Sequence, residues 1–170
     1  QVLPGRDVLA VAGTHGKSTT SGWLVHTLVT GGQDPCAFVG ALLPPDITGG
    51  APATARWGAG HDFIVEADEY AGNFDAYQPE IAILTSAEWD HPDVFADADA
   101  VADAFAAWLR RAPDGAILVA NAGDPGVEVG GDADGGDPQR PTGAEDTHRH
   151  IRAVRDEHPL EGDLGIQRTL

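Results

Sequence analysis

The chain has 170 residues, 42% of them apolar, with a formal net charge of −17 and an isoelectric point near 4.4. That length and apolar share support one hydrophobic core, so one domain is the default. The acidic excess argues against nucleic acid or an anionic membrane surface as partners of the surface as a whole.

The chain begins at Gln1 and holds no methionine, which reads as a piece of a longer protein or a processed product. Its N-terminus carries no signal-peptide pattern, and no apolar run is long enough to span a bilayer. Asp7 to Ala12 reads as a short apolar strand. The run Gly13-Thr14-His15-Gly16-Lys17-Ser18-Thr19-Thr20 follows, and Ser21 to Thr30 reads as a helix. Lys17 is the one lysine of the chain, every other Lys/Arg position being arginine. The acidity and the scarcity of lysine fit a high-salt or arginine-biased source.

A glycine-bracketed turn between strand and helix that ends in Lys-Ser has the layout of a phosphate-binding loop. Backbone N–H groups in such a turn cradle phosphate oxygens, and the helix N-terminus adds partial positive charge. The lysine places a point charge on the β/γ-phosphates, and the adjacent hydroxyl can ligate Mg²⁺. The pattern is incomplete, because Val11 stands at the first glycine of G-x-x-x-x-G-K-[ST]. A solvated lysine in a plain strand–helix turn is the bland alternative. The strand and helix on either side favour a nucleoside triphosphate, with Gly13, Thr14, His15, Gly16, Lys17, Ser18 and Thr19 as candidate binding residues.

Gly31-Gly32 reads as a helix C-cap. Cys36 to Val39 forms a second short strand, followed by a Gly/Pro/Thr-rich loop from Gly40 to about Gly60. Cys36, the one cysteine, excludes an internal disulfide, reads as a small core residue and fits a cytosolic chain. Asp62 to Val65 is an apolar strand leading into Glu66-Ala67-Asp68-Glu69. Glu80 to Thr85 is another, leading into Ser86-Ala87-Glu88-Trp89-Asp90-His91. Val101, Phe105, Trp108 and Leu109 share one helical stripe between Asp97 and Ala112, with acidic residues at its start and Arg110-Arg111 at its end. Pro113-Asp114-Gly115 makes a turn and Ala116 to Ala120 a further strand. Buried strands alternating with helices predict an α/β fold, a P-loop-type mostly parallel sheet with helices on both faces.

Residues 1–129 carry this pattern. Residues 130–170 are Gly/Asp/Pro-rich at first and read as a linker or a divergent C-terminal part of the same domain, with a short charged helix over 148–158. No internal repeat is visible.

Ligands bind beyond the carboxyl ends of strands in such sheets, which places the Lys17 loop, the Glu66 run and Asp90-His91 on one edge. An acidic residue at the end of a second strand is needed to hold Mg²⁺, and Glu66 or Asp68 is placed for it. An imidazole suits Mn²⁺ better than Mg²⁺ outside an oxygen-rich shell. The bland alternatives are a solvated acidic turn and a surface histidine beside Pro92.

These three blocks, in order and spacing, resemble the central ATPase domain of the Mur ligases. The resemblance covers Asp7 to Pro125, with Asn121-Ala122-Gly123-Asp124-Pro125 as its last block. His15 and the Glu-Ala-Asp-Glu run look most like the branch that joins L-alanine to UDP-N-acetylmuramate. Glu69-Tyr70 and the stretch from Asp90-His91 to Phe95 lean toward the murein tripeptide recycling branch. The resemblance implies ATP and Mg²⁺, with Mn²⁺ as an alternative ion. It also implies a UDP-sugar carboxylate and an amino acid or peptide as substrates of the full-length enzyme, in the cytoplasm.

In the implied chemistry the γ-phosphate passes to the carboxylate, and an amine then displaces phosphate from the acyl phosphate. Lys17, Glu66 and His91 are the implied catalytic residues. Ser18, Glu66 and His91 are the implied metal ligands. Ser86 and Ala71 depart from the usual Asn and Asp of the family, and its adenine-recognising segment is not visible after Val129. The fragment is expected to be inactive as a ligase alone. A single-domain nucleotide hydrolase or kinase, and a non-catalytic nucleotide-binding remnant, are the competing expectations.

Overall fold

The computed structural model describes residues 5–121, 123–124, 126–128 and 151–152. The first strand, β1 (Asp7–Ala12), is followed by helix α1 (Lys17–Thr30), strand β2 (Cys36–Leu43), the short helix α2 (Pro45–Thr48) and strand β3 (Ala53–Arg56). Then come β4 (Asp62–Glu66), a 3₁₀ segment over Tyr70–Ala76, β5 (Ile81–Leu84), α3 (Ala98–Leu109) and β6 (Ile117–Ala120). Six strands form one sheet in the order β3-β2-β4-β1-β5-β6, parallel throughout except for the edge pair β2–β3.

Alternate residues of one strand serve opposite faces. Val8, Ala10 and Ala12 of β1 join Phe63, Val65, Ala82 and Leu84 under α3, where Phe105 and Trp108 are fully buried. Leu9 joins Val25 of α1, Ala37, Val39 and Ile64 on the other face. Helices therefore cover both faces, and the inner strands read as unbroken apolar runs for that reason. Phe74 stacks on Trp108 at 5.2 Å and meets Phe105 edge-on at 5.7 Å, which ties the 3₁₀ segment to the core.

α1 starts at Lys17, one turn earlier than the periodicity indicates, so the Lys-Ser pair lies in the first helical turn. It ends in a Schellman arrangement, with Gly32 at φ +84°, Gly32 N–H donating to the Val29 carbonyl and Gln33 N–H to that of Leu28. α3 is capped by Asp97, whose side chain accepts from the Ala100 amide.

The stretch after Val39 differs from the loop expected there. β2 continues to Leu43, and the chain returns as the antiparallel edge strand β3, with α2 between them. Sequence periodicity misses this because Gly and Pro hide two short pairing segments, whereas an unpaired edge of β2 favours a returning strand.

Ile151–Arg152 forms a strand, β8, paired in parallel with β7 (Val127–Glu128), where a helix over 148–158 is expected from the charge pattern. A short charged helix has little apolar face to bury, while pairing gives the backbone groups partners. The rest of 148–158, and most of 130–170, lie outside the described residues.

Candidate functional site

β1, β4 and β5 are neighbours and run parallel, so their following loops open at the same sheet edge. The turn after β1 is shaped by its glycines. Gly13 has φ +125°, and a Cβ there would lie 2.3 Å from Thr85 Oγ1 and 2.8 Å from Ser86 N, a space only glycine fits. Gly16, at φ +82°, is the N-cap of α1 and offers no capping side chain, which leaves the helix start without a side-chain acceptor of its own.

The loop is hung from the residues after β5. Thr14 N–H donates to the Ser86 carbonyl at 3.1 Å, and His15 N–H to Ser86 Oγ at 3.0 Å. The Thr85 hydroxyl lies 2.6 Å from the His15 carbonyl oxygen, and the Thr14 hydroxyl donates to the Glu88 carbonyl at 2.7 Å. Ser86 thus supplies the hydroxyl that holds an amide of this turn. His15 Nε2 sits 3.6 Å from Glu88 Oε2, both side chains largely exposed.

Ser18 Oγ donates to Glu66 Oε1 at 2.8 Å, and the Gly40 amide donates to Glu66 Oε2 at 2.6 Å. A Cβ on Gly40 would approach that carboxylate to 2.9 Å, so the glycine allows the close contact. Lys17 Nζ lies 2.9 Å from Glu69 Oε2, 3.4 Å from Asp68 Oδ1 and 3.4 Å from the Thr14 carbonyl oxygen. Glu69 is only 2% exposed, and its second oxygen, Oε1, is buried without a hydrogen-bond partner. That oxygen is 4.0 Å from His91 Nε2, and Asp90 Oδ2 is 3.9 Å from the same nitrogen.

The structure therefore brings Ser18 to Glu66, and Lys17 to Asp68 and Glu69. It places His91 beside Glu69 and Asp90, on the side of Glu69 away from Lys17's contact. Among the described residues no group of three or more His, Cys, Asp or Glu converges into a self-sufficient metal cage. The donors fit Mg²⁺ all the same. They are hard oxygens, one or two carboxylates with a hydroxyl, and this ion takes few protein ligands and completes its shell with water and substrate phosphate.

Sequence reasoning passed over Glu69 as a hub, although it stands in the run already singled out. Thr85 and Gly40 carry no motif, and Ser86 stands out in the sequence only as a departure from the Asn expected there. Asn121 Nδ2 donates to the Thr85 carbonyl at 3.1 Å, and Asp124 Oδ1 accepts from the Ala87 and Gly126 amides. The last block of the resemblance thus buttresses the loop after β5.

The family model that matches is the Mur ligase middle domain, over residues 11–134. A UDP-N-acetylmuramate–L-alanine ligase of Frankia alni is 44% identical over 127 residues, 75% of this chain and 21% of that protein. The solved UDP-N-acetylmuramate:L-alanyl-gamma-D-glutamyl-meso-diaminopimelate ligase from Neisseria meningitides matches with a TM-score of 0.59 and 32% identity, over 71% of this chain and 40% of that one. The solved UDP-N-acetylmuramate–alanine ligase from Thermotoga maritima matches with a TM-score of 0.59 and 27% identity, over 70% and 26%. The chain spans about a fifth of the length of its Frankia relative.

Proposed function

The chain belongs to the Mur ligase middle-domain family, and from that premise we propose that it is the ATP-binding part of an amide ligase of peptidoglycan synthesis, of the UDP-N-acetylmuramate–L-alanine ligase kind. The observation that carries the reading is the convergence of Lys17, Ser18, Glu66 and Glu69 at the carboxyl ends of β1 and β4. The substrates of the whole enzyme are then ATP, a UDP-sugar carboxylate and an amino acid, and its location is the cytoplasm. The tripeptide recycling kind is the second reading, favoured by Glu69-Tyr70. Residues 1–129 form the nucleotide-binding part. The pairing of β8 with β7 supports residues 130–170 as a divergent C-terminal part of the same domain, not a linker.

In this reading the amides of Gly16 to Thr19, at the start of α1, receive the phosphates, and Lys17 turns from Asp68 and Glu69 to the β/γ-phosphate oxygens. A carboxylate oxygen of the UDP-sugar attacks the γ-phosphorus, and ADP leaves. The amine of the amino acid attacks the acyl carbon, loses a proton, and phosphate leaves as the amide forms. Ser18 and Glu66 would hold Mg²⁺, with His91 toward a second ion, and the metal supplies charge neutralisation on the phosphates. The chain's own contribution is positioning and a fixed positive field at the transferred group.

The test compares Mg²⁺-ATP affinity in the wild type, Glu69→Gln and Lys17→Met/Glu69→Gln. The reading requires the lysine-free variant to bind at least about tenfold more weakly than Glu69→Gln, a difference of one charge-assisted contact. Equal affinities in those two proteins would sink it.

A further inference from the structure

His91 has φ +55°, a left-handed conformation that non-glycine residues seldom adopt. Its carbonyl oxygen accepts from the amides of Val94 at 2.8 Å and Phe95 at 2.9 Å. The Trp89 indole N–H donates to the Phe95 carbonyl at 3.0 Å, so residues 89–95 close on themselves. These bonds fix the backbone of the loop but leave the imidazole free to turn.

The ring is met from the neighbouring loop instead. Tyr70 packs against it edge-on, with ring centroids 5.0 Å apart at 70°. The Tyr70 hydroxyl donates to Asp93 Oδ2 at 2.9 Å, and Asp93 lies two residues beyond His91. Glu69, the residue before Tyr70, presents its unpartnered buried oxygen 4.0 Å from His91 Nε2. Consecutive residues thus approach the histidine, Tyr70 with its ring in an edge contact and Glu69 with an oxygen 4.0 Å from Nε2, and a hydrogen bond ties the two segments together.

We propose that Tyr70 and Asp93 form a clamp that positions the His91 imidazole against Glu69. Both are positioning residues. They act through His91, and the functional part of the proposal rests on the reading of His91 as a ligand for a divalent cation. The benefit is preorganisation, because a ring already held in its binding rotamer loses less freedom when an ion arrives. The ring contact and the hydrogen bond are separable, since phenylalanine retains the first and loses the second.

The experiment uses the full chain and two readouts. The first is the ¹H and ¹⁵N resonances of the His91 imidazole in the metal-free protein, assigned with His91→Ala. Tyr70→Phe and Asp93→Ala should both move them in the same direction, and the double variant should move them no further than either single one. The second is Mn²⁺ affinity in the presence of ADP, read by electron paramagnetic resonance. It should fall about two- to tenfold in both single variants, the range for one ordinary hydrogen bond. Unmoved His91 resonances in both variants would overturn the clamp. Moved resonances with unchanged Mn²⁺ affinity, while His91→Ala loses affinity, would overturn its positioning role. Undiminished Mn²⁺ binding by His91→Ala would instead sink the reading of His91 on which that role depends.

Discussion

The rim beyond β1, β4 and β5 and the edge made by β2 and β3 belong to one sheet but are built by opposite means. At the rim a carboxylate is buried to 2% exposure, two non-glycine residues hold positive φ, and loops are tied side chain to side chain. At the edge, large apolar side chains face solvent, Leu42 at 69% and Trp57 at 77%. The Gly40 amide donates to Glu66, and the polar contacts of Arg56 and Asp34 close the chain on itself. Arg56 bonds to the Ile47 and Pro35 carbonyls and pairs with Asp34, whose other oxygen accepts from the Ala59 amide at 2.7 Å. The difference teaches where this molecule spends stability on geometry. A carboxylate buried to 2% exposure and non-glycine residues at positive φ are found where a phosphate and a cation would meet, and among the described residues the edge shows neither.

The largest test of that contrast is the Lys17–Glu69 pair. Lys17→Met leaves the Glu69 carboxylate buried without its counter-ion, and chemical denaturation should show a loss of about 3–5 kcal/mol. Lys17→Met/Glu69→Gln should recover most of it while nucleotide binding stays weak. A single variant as stable as the wild type would break the comparison at its strongest point.

Gly13→Ala comes next. The new Cβ meets backbone at 2.8 Å as well as the Thr85 hydroxyl, at a positive φ. A cost of about 2–4 kcal/mol in the same assay follows from overpacking plus strain.

A smaller effect of opposite sign is expected at Ala71, which holds φ +53° where the family usually carries Asp. Ala71→Gly should raise stability by about 0.5–1 kcal/mol, since glycine adopts that conformation without a Cβ penalty. A loss of stability there would show that the rim is not strained at this position.

The smallest effect is at the edge. The Ala59 amide and the Arg56 guanidinium hold the Asp34 carboxyl below its ordinary value of 3.8. Its folded pKa lies below the unfolded one, so its contribution is present above the unfolded value and lost as pH falls through the folded one. Asp34→Asn should therefore give a small loss of Tm near neutrality that closes as the pH falls below about 4, so that its acid fall is shallower. A large loss at neutral pH would put the edge on the same footing as the rim.

How much was legible in advance divides along the same line. Asp7–Ala12, Asp62–Val65 and the stripe Val101, Phe105, Trp108 were readable because burial on both faces of a strand, or one face of a helix, imposes a period on the residues themselves. The strand-end placement of Lys17 and Ser18 was readable because a contiguous glycine turn between strand and helix carries them in fixed order. The continuation of β2 and the return of β3 were not, since edge pairing depends on a neighbour distant in the chain and leaves little periodic trace. Ser86 Oγ on the His15 amide and Tyr70 on His91 were hidden for the same reason.

By itself, the sequence determined that an acidic α/β chain would present a lysine-bearing glycine turn at a strand end, and which acidic and histidine runs would stand at the ends of other strands. Local spacing carries that information because each motif is contiguous. Only the tertiary structure decided the pairings: Ser18 with Glu66, Lys17 with Glu69, and His91 with Glu69 and Tyr70. Those contacts are set by the order β4-β1-β5 and by the parallel register that brings three separate loops to one edge. Strand order is a collective solution to burying both faces of the sheet, and no single stretch of residues encodes it.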